Sequence, residues 1–159
     1  MDRRTVLARQ DAARAELLTA IAGLDEATMA SLPVVGMWTI KEVLAHLAGW
    51  AVWDLETIRQ IQSGGQPDFA ALQDVKSFND RNVAERRGWT VAEILDELDT
   101  ARTALEELLM AMPEEDIFQV GKYRGPHCEN LANWLRVARE HEAEHAVQFR
   151  AWRTAVTTI

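Results

Sequence analysis

The stretch Thr39-Ile40-Lys41-Glu42-Val43-Leu44-Ala45-His46-Leu47-Ala48-Gly49-Trp50 decides the fold. Thr39 followed three residues later by Glu42 has the form of a capping box, in which each side chain satisfies a backbone N–H at a helix start. From there Val43, Leu44, Leu47, Trp50, Leu55, Ile58 and Ile61 recur at helical spacing. Ser63-Gly64-Gly65-Gln66-Pro67 ends the run, because Gly favours helix termination and Pro cannot continue a helix.

The same period appears three more times. A first helix is expected from about Asp2 to Leu24, with Val6, Leu7, Leu17, Leu18, Ile21 and Leu24 apolar, before a break from Asp25 to Met37 containing Pro33 and Gly36. Thr90 and Glu93 form a second capping box, opening a helix to about Met112 with Val91, Ile94, Leu95, Leu98, Leu105, Leu108 and Leu109 inward. The last helix runs from about Glu129 to Thr154, its inner stripe formed by Leu131, Trp134, Leu135, Ala138, His141, His145, Phe149 and Trp152. Between the second and third of these, Asp68 to Arg87 reads as a half-buried helical segment with Phe69, Leu72, Val75 and Phe78 inward, interrupted at Gly88. Pro113 to Asp116 reads as a stop or one extra turn, and Ile117 to Cys128, with Gly121, Gly125 and Pro126, as a loop. No strand pattern is found, since period-two alternation is absent. The expected architecture is all-α: a four-helix bundle in one domain, residues 1–159, with a long connection between the second and third main helices.

With 159 residues the chain suits a single core. The net charge of -8 repels phosphate backbones, so nucleic acid is not an expected partner. Cys128 is the only cysteine, which rules out an intramolecular disulfide and suits a reducing compartment. Neither a signal-peptide run nor about 20 consecutive apolar residues is present, so a cytoplasmic protein without membrane contact is expected. Six Trp residues against one Tyr suggest large rings packed between helices or lining a pocket.

Chemistry concentrates on three histidines. His141 and His145 are four apart, so both rings face one side of the last helix. His46 lies on the apolar face of the second helix with Val43, Leu47, Trp50 and Trp53. Two imidazoles from one helix and one from another can make a three-nitrogen metal site with positions left open, as in catalytic zinc centres. The alternatives are a core histidine hydrogen-bonded to an ordinary partner, for His46, and a solvated acidic face for the pair, crowded by Glu140, Glu142 and Glu144. The phase of Trp134, Ala138, Phe149 and Trp152 turns the pair inward and favours the metal. Around such a centre, Glu142 or Glu144 would orient a ligand histidine, and Trp50 and Trp53 would form an apolar wall. His127 would reach the open side through its loop. Cys128 is a free thiol at a loop joint, or a reactive one if the helix start lowers its pKa. Asn79, Arg81 and Asn82 would hydrogen-bond a ligand or brace the loop after Pro67. His141-Glu142-Ala143-Glu144-His145 also fits the H-E-x-x-H pattern of zinc proteases, but no His, Asp or Glu follows His145 to supply a third ligand.

Trp38-Thr39-Ile40-Lys41-Glu42-Val43-Leu44-Ala45-His46-Leu47 resembles the second-helix signature of the DinB-like (YfiT-like) four-helix bundle family. Phe78-Asn79 with Arg81, Val83 to Arg87 and Trp89-Thr90 are similar to its middle region, and His141 to His145 resembles its closing signature. The resemblance implies a divalent ion such as nickel, zinc or iron on His46, His141 and His145. It also implies activities found in the family: transfer or isomerisation dependent on low-molecular-weight thiols such as bacillithiol or mycothiol, or protection against genotoxic small molecules. The expected function is a metal-dependent enzyme acting on a small electrophile, most simply a thiol transferase, with Glu142, Asn79 and His127 as candidate catalytic groups. A metal-bound water would make it a hydrolase instead. The alternative is a non-enzymatic bundle that sequesters a small molecule around a structural metal. A homodimer is expected by analogy with the family.

Overall fold

In the computed structural model, which describes residues 1–125 and 127–157, four long helices carry the architecture. They are α1 (Arg3–Ile21), α3 (Ile40–Gln62), α5 (Val91–Ala111) and α7 (Leu131–Thr157), with α1 packed along α7 and α3 along α5. Shorter helices fill the connections: α2 (Glu26–Met29), α4 (Val75–Glu85) and α6 (Glu114–Phe118). Both expected capping boxes form, Thr39 with Glu42 at the start of α3 and Thr90 with Glu93 at the start of α5.

Three local expectations are corrected. First, a short antiparallel hairpin is present, β1 (Pro33–Val35) with β2 (Trp38–Thr39). Two or three residues per strand are too few for period-two alternation to register in the sequence, and Gly36 turns the chain at a φ of 57°. Val34, Val35 and Trp38 pack on the core from this hairpin. Second, Asp68 to Arg87 is not one helix. Asp68 Oδ1 accepts from Ala70 N (2.8 Å) at a single 3-10 turn, Ala70–Leu72, and Asp74 then caps a new helix, α4, by accepting from Ser77 N (3.1 Å). Val75 is consequently exposed rather than inward, while Phe78 is buried. Third, Ile117 and Phe118 belong to α6 and not to the loop, because Ile117 is a fully buried core residue. Pro126, expected in the same loop, lies outside the described residues.

The core has two halves. Leu17, Ile40, Leu44, Ile94, Leu98 and Phe149 centre one, and Leu55, Ile58, Leu109, Ile117, Leu131 and Leu135 the other. Ala51 of α3 packs against both, so the halves meet at the middle of that helix. Polar ties fix the helices around this junction. Gln10 Nε2 donates to Leu135 O (2.8 Å) from α1 to α7. Arg86, buried at the end of α4, pairs bidentately with Glu97 of α5 (2.5 and 3.0 Å).

Candidate metal centre

His46 is placed by the capped, continuous α3, which turns its ring inward between Leu44 and Leu47. His141 and His145 come from the facing stripe of α7. The rings converge on their Nε2 atoms: His141 Nε2 lies 2.8 Å from His46 Nε2 and 3.1 Å from His145 Nε2. One nitrogen from each residue lies within 4.8 Å of the others, and no further His, Cys, Asp or Glu joins this group among the described residues. The expectation that the three histidines come together therefore holds in geometry.

The outer nitrogens explain which lone pairs point inward. Asn79 Oδ1 lies 3.0 Å from His46 Nδ1 and 2.8 Å from Trp50 Nε1. An indole N–H can only donate, so the Asn79 atom it meets is the amide oxygen, and His46 Nδ1 must carry a proton to meet the same oxygen. That tautomer leaves His46 Nε2 as a bare lone pair. Gln148 Oε1 accepts from His145 Nδ1 (2.7 Å) in the same way. A neutral His141 can place at most one proton among the three inner nitrogens, and one N–H points to only one neighbour, so at least one of the two short nitrogen–nitrogen contacts is left without a hydrogen bond. Burial reinforces this by disfavouring the charged imidazolium. It pushes His46 down to about 4 and His141 down to about 3, each further lowered by its histidine neighbours, and it lowers His145 as well. A cation at the shared focus resolves the conflict. Metal–nitrogen bonds of about 2.1 Å put neighbouring ligand nitrogens about 3.0–3.4 Å apart, near the 2.8 and 3.1 Å separations from His141. The donor set thus fits a divalent ion of intermediate softness.

The centre opens into a cavity of about 310 Å³. Trp50, Trp53 and Trp134 form its aromatic wall, with Trp53 and Trp134 ring centroids 5.9 Å apart. Trp50 and Trp53, the residues expected to form an apolar wall, line this cavity together with His46 and His141, and Trp38 of the hairpin covers His46 on another side at 5.1 Å. His127 and Cys128 line the mouth, outside the three-nitrogen group. Burial pushes the Cys128 thiol up, which supports the free-thiol reading over the reactive one.

One role expected of the glutamates is corrected. Glu142 does not orient a histidine; Arg14 of α1 holds it bidentately (2.7 and 3.0 Å). Glu144 is exposed and has no hydrogen bond to a histidine among the described residues. Amides take the orienting role instead: Asn79, anticipated as a ligand-binding or bracing residue, and Gln148, which the sequence reading missed. Its signal was available, since Gln148 stands three residues after His145 on one helical face. Asn82 braces the buried Arg86 rather than facing the cavity, and Arg81 lies exposed over the Phe78 ring. Asp54, also missed, lines the cavity and accepts from Trp134 Nε1 (2.7 Å).

The family model of the DinB superfamily matches residues 9–149, and the chain belongs to that superfamily. No curated protein matches the sequence. Solved structures share the fold at low identity. A Streptococcus pneumoniae protein superposes with a TM-score of 0.86 at 12% identity, over 97% of this chain and 91% of its own. The sibling lethal factor precursor DfsB does so with 0.84 at 16%, over 98% and 96%. The colibactin self-resistance protein ClbS, solved in complex with double-stranded DNA, gives 0.81 at 8%, over 94% of each chain. The expectation against nucleic acid consequently rests on the charge of this chain and not on the fold.

Proposed function

We propose, for this member of the DinB superfamily, that His46, His141 and His145 hold a divalent transition-metal ion and that the chain uses it to transfer or add a thiol to a small electrophile. The observation that carries the reading is the convergence of three Nε2 nitrogens, with no fourth protein ligand in the group among the described residues. Three protein ligands leave a coordination position for an exogenous group, as catalytic sites require. A bound metal would supply acidity, since a thiol that coordinates one loses its proton.

The chain's own residues do the rest. Asn79 and Gln148 keep two of the imidazoles in the tautomer that presents Nε2. Trp50, Trp53 and Trp134 offer aromatic faces to an apolar electrophile beside the histidines. His127, exposed at the cavity mouth, is positioned to contact the outer part of a ligand. Glu142 contributes indirectly, by tying α7 to α1 through Arg14 beside His141.

Elemental analysis of untagged protein tests the metal: one divalent ion per chain is expected, lost in His46→Ala, His141→Ala and His145→Ala. Metal-loaded protein would then be assayed with microbial thiols against chlorodinitrobenzene. Retained metal without turnover in any thiol would leave the second reading, a sequestering bundle. The roomy apolar cavity beside the centre favours that reading independently of catalysis.

A further inference from the structure

Asp54 has no part in the metal centre, yet it faces the same cavity. It follows His46 by eight residues on α3, so the two are about 12 Å apart along the helix axis. Trp50 and Trp53 occupy the wall between them. One carboxyl oxygen accepts from Trp134 Nε1 (2.7 Å). Among the described residues no Lys, Arg or His pairs with Asp54, and no second donor reaches it. Arg14 shares the adjoining crevice with it but is engaged by Glu142 and Leu98 O. The second carboxyl oxygen is left without a protein donor among the described residues on the cavity side, where a ligand N–H can reach it.

We propose that Asp54 is the specificity anchor of this cavity: it receives the N–H of an amine or ammonium group on a ligand whose apolar body lies against Trp50, Trp53 and Trp134 and whose opposite end reaches the histidines. The aromatic faces add to the attraction, since indole rings favour a nearby cation. An anionic carboxylate is disfavoured at that end, because it has no proton to donate to Asp54 and meets a like charge whenever Asp54 is ionised. Burial raises the Asp54 carboxyl to about 7, and an incoming ammonium group would draw it into the ionised form. The proposal takes from the functional reading only that this cavity is the ligand site, and it is tested by binding rather than turnover.

The probes are phenylbutylamine, phenylbutanol and phenylbutyrate, matched in body and differing at one end. They are titrated calorimetrically into the protein as purified and again after chelation, where neither the amine nor the carboxylate has a metal to coordinate. The amine is expected to bind at least tenfold tighter than the alcohol, about 1.4 kcal/mol, and the carboxylate more weakly than either. Asp54→Asn keeps an acceptor for Trp134 and removes the charge, so the amine and alcohol should then bind within about twofold of each other. The amine preference should persist after chelation, and its persistence leaves the metal reading to be decided separately by elemental analysis. Equal affinities for amine and alcohol, no binding of either, or an undiminished preference in Asp54→Asn would overturn the role of Asp54, and the matched wild-type titrations decide the matter even if the variant fails to fold.

Discussion

Gly49→Ala separates two opposed effects. Gly49 lies in the interior of α3, where alanine is ordinarily the better helix former by about 1 kcal/mol. Here a Cβ would fall inside the side-chain amide of Asn82, closest to its Cγ and Oδ1 and 2.6 Å from its Nδ2. Asn82 cannot swing aside freely. Arg86 Nη1 donates to its backbone oxygen (3.1 Å) and its Oδ1 (3.3 Å), and Arg86 is itself clamped by Glu97. Relief therefore requires α4 to retreat by roughly an ångström to restore van der Waals contact. That helix carries Asn79, and the same shift would stretch its 3.0 Å bond to His46 Nδ1 beyond hydrogen-bonding range. Overpacking of this kind costs about 1–3 kcal/mol net, and loss of an orienting partner lowers metal affinity about tenfold or more. Urea unfolding of the chelated protein reads the first quantity, and competition with a chromophoric chelator reads the second. Gly49→Ala combined with Asn82→Ala should be more stable than Asn82→Ala alone, since the methyl then has room and the helical gain remains. A Gly49→Ala protein more stable than wild type, with unchanged metal affinity, would refute the close approach of α3 and α4.

Further outcomes follow from the same contacts. Asn79→Leu leaves His46 Nδ1 and Trp50 Nε1 without their shared acceptor, and Gln148→Leu does the same for His145, so each should weaken metal binding about 10- to 100-fold by chelator competition while the helical circular dichroism stays intact. Arg86→Met strips Glu97 and Asn82 of their partner and should cost about 2 kcal/mol in urea unfolding, less than for a wholly enclosed pair because Glu97 is partly exposed. Asp54 sets a pH dependence. Its folded carboxyl is raised to about 7, above an unfolded value of about 3.9, so between these the folded chain holds more protons than the unfolded one. Stability should therefore fall as pH rises through that window and level off above it. Asp54→Asn removes this dependence. The difference in melting temperature between variant and wild type, both chelated, should be small near pH 4 and favour the variant above pH 7; a constant difference would contradict the burial of the charge.

Local interactions account for what was legible in the sequence. The capping boxes at Thr39 and Thr90 join groups three residues apart, and the apolar stripes repeat within a few turns, so both helix starts and the bundle class could be read directly. The shared face of His141 and His145 is equally local. Where side chains and backbone compete over a handful of residues, the reading failed: Asp68 and Asp74 restart the chain inside what looked like one helix, and the hairpin at Gly36 is too short to leave a period.

By itself, then, the sequence determined four amphipathic helices, their starts, and a histidine pair turned toward the core, because each depends on neighbours within one or two turns. Only the tertiary structure decided what met that pair. His46 lies 95 residues from His141 and Arg14 lies 128 from Glu142, separations at which helical phase says which way a side chain faces but not which partner it finds. The packing of α3 against α7 brought the third imidazole to the pair. The packing of α1 against α7 took Glu142 away from it, because a guanidinium within reach of a half-buried carboxylate is a stronger partner than a neutral imidazole.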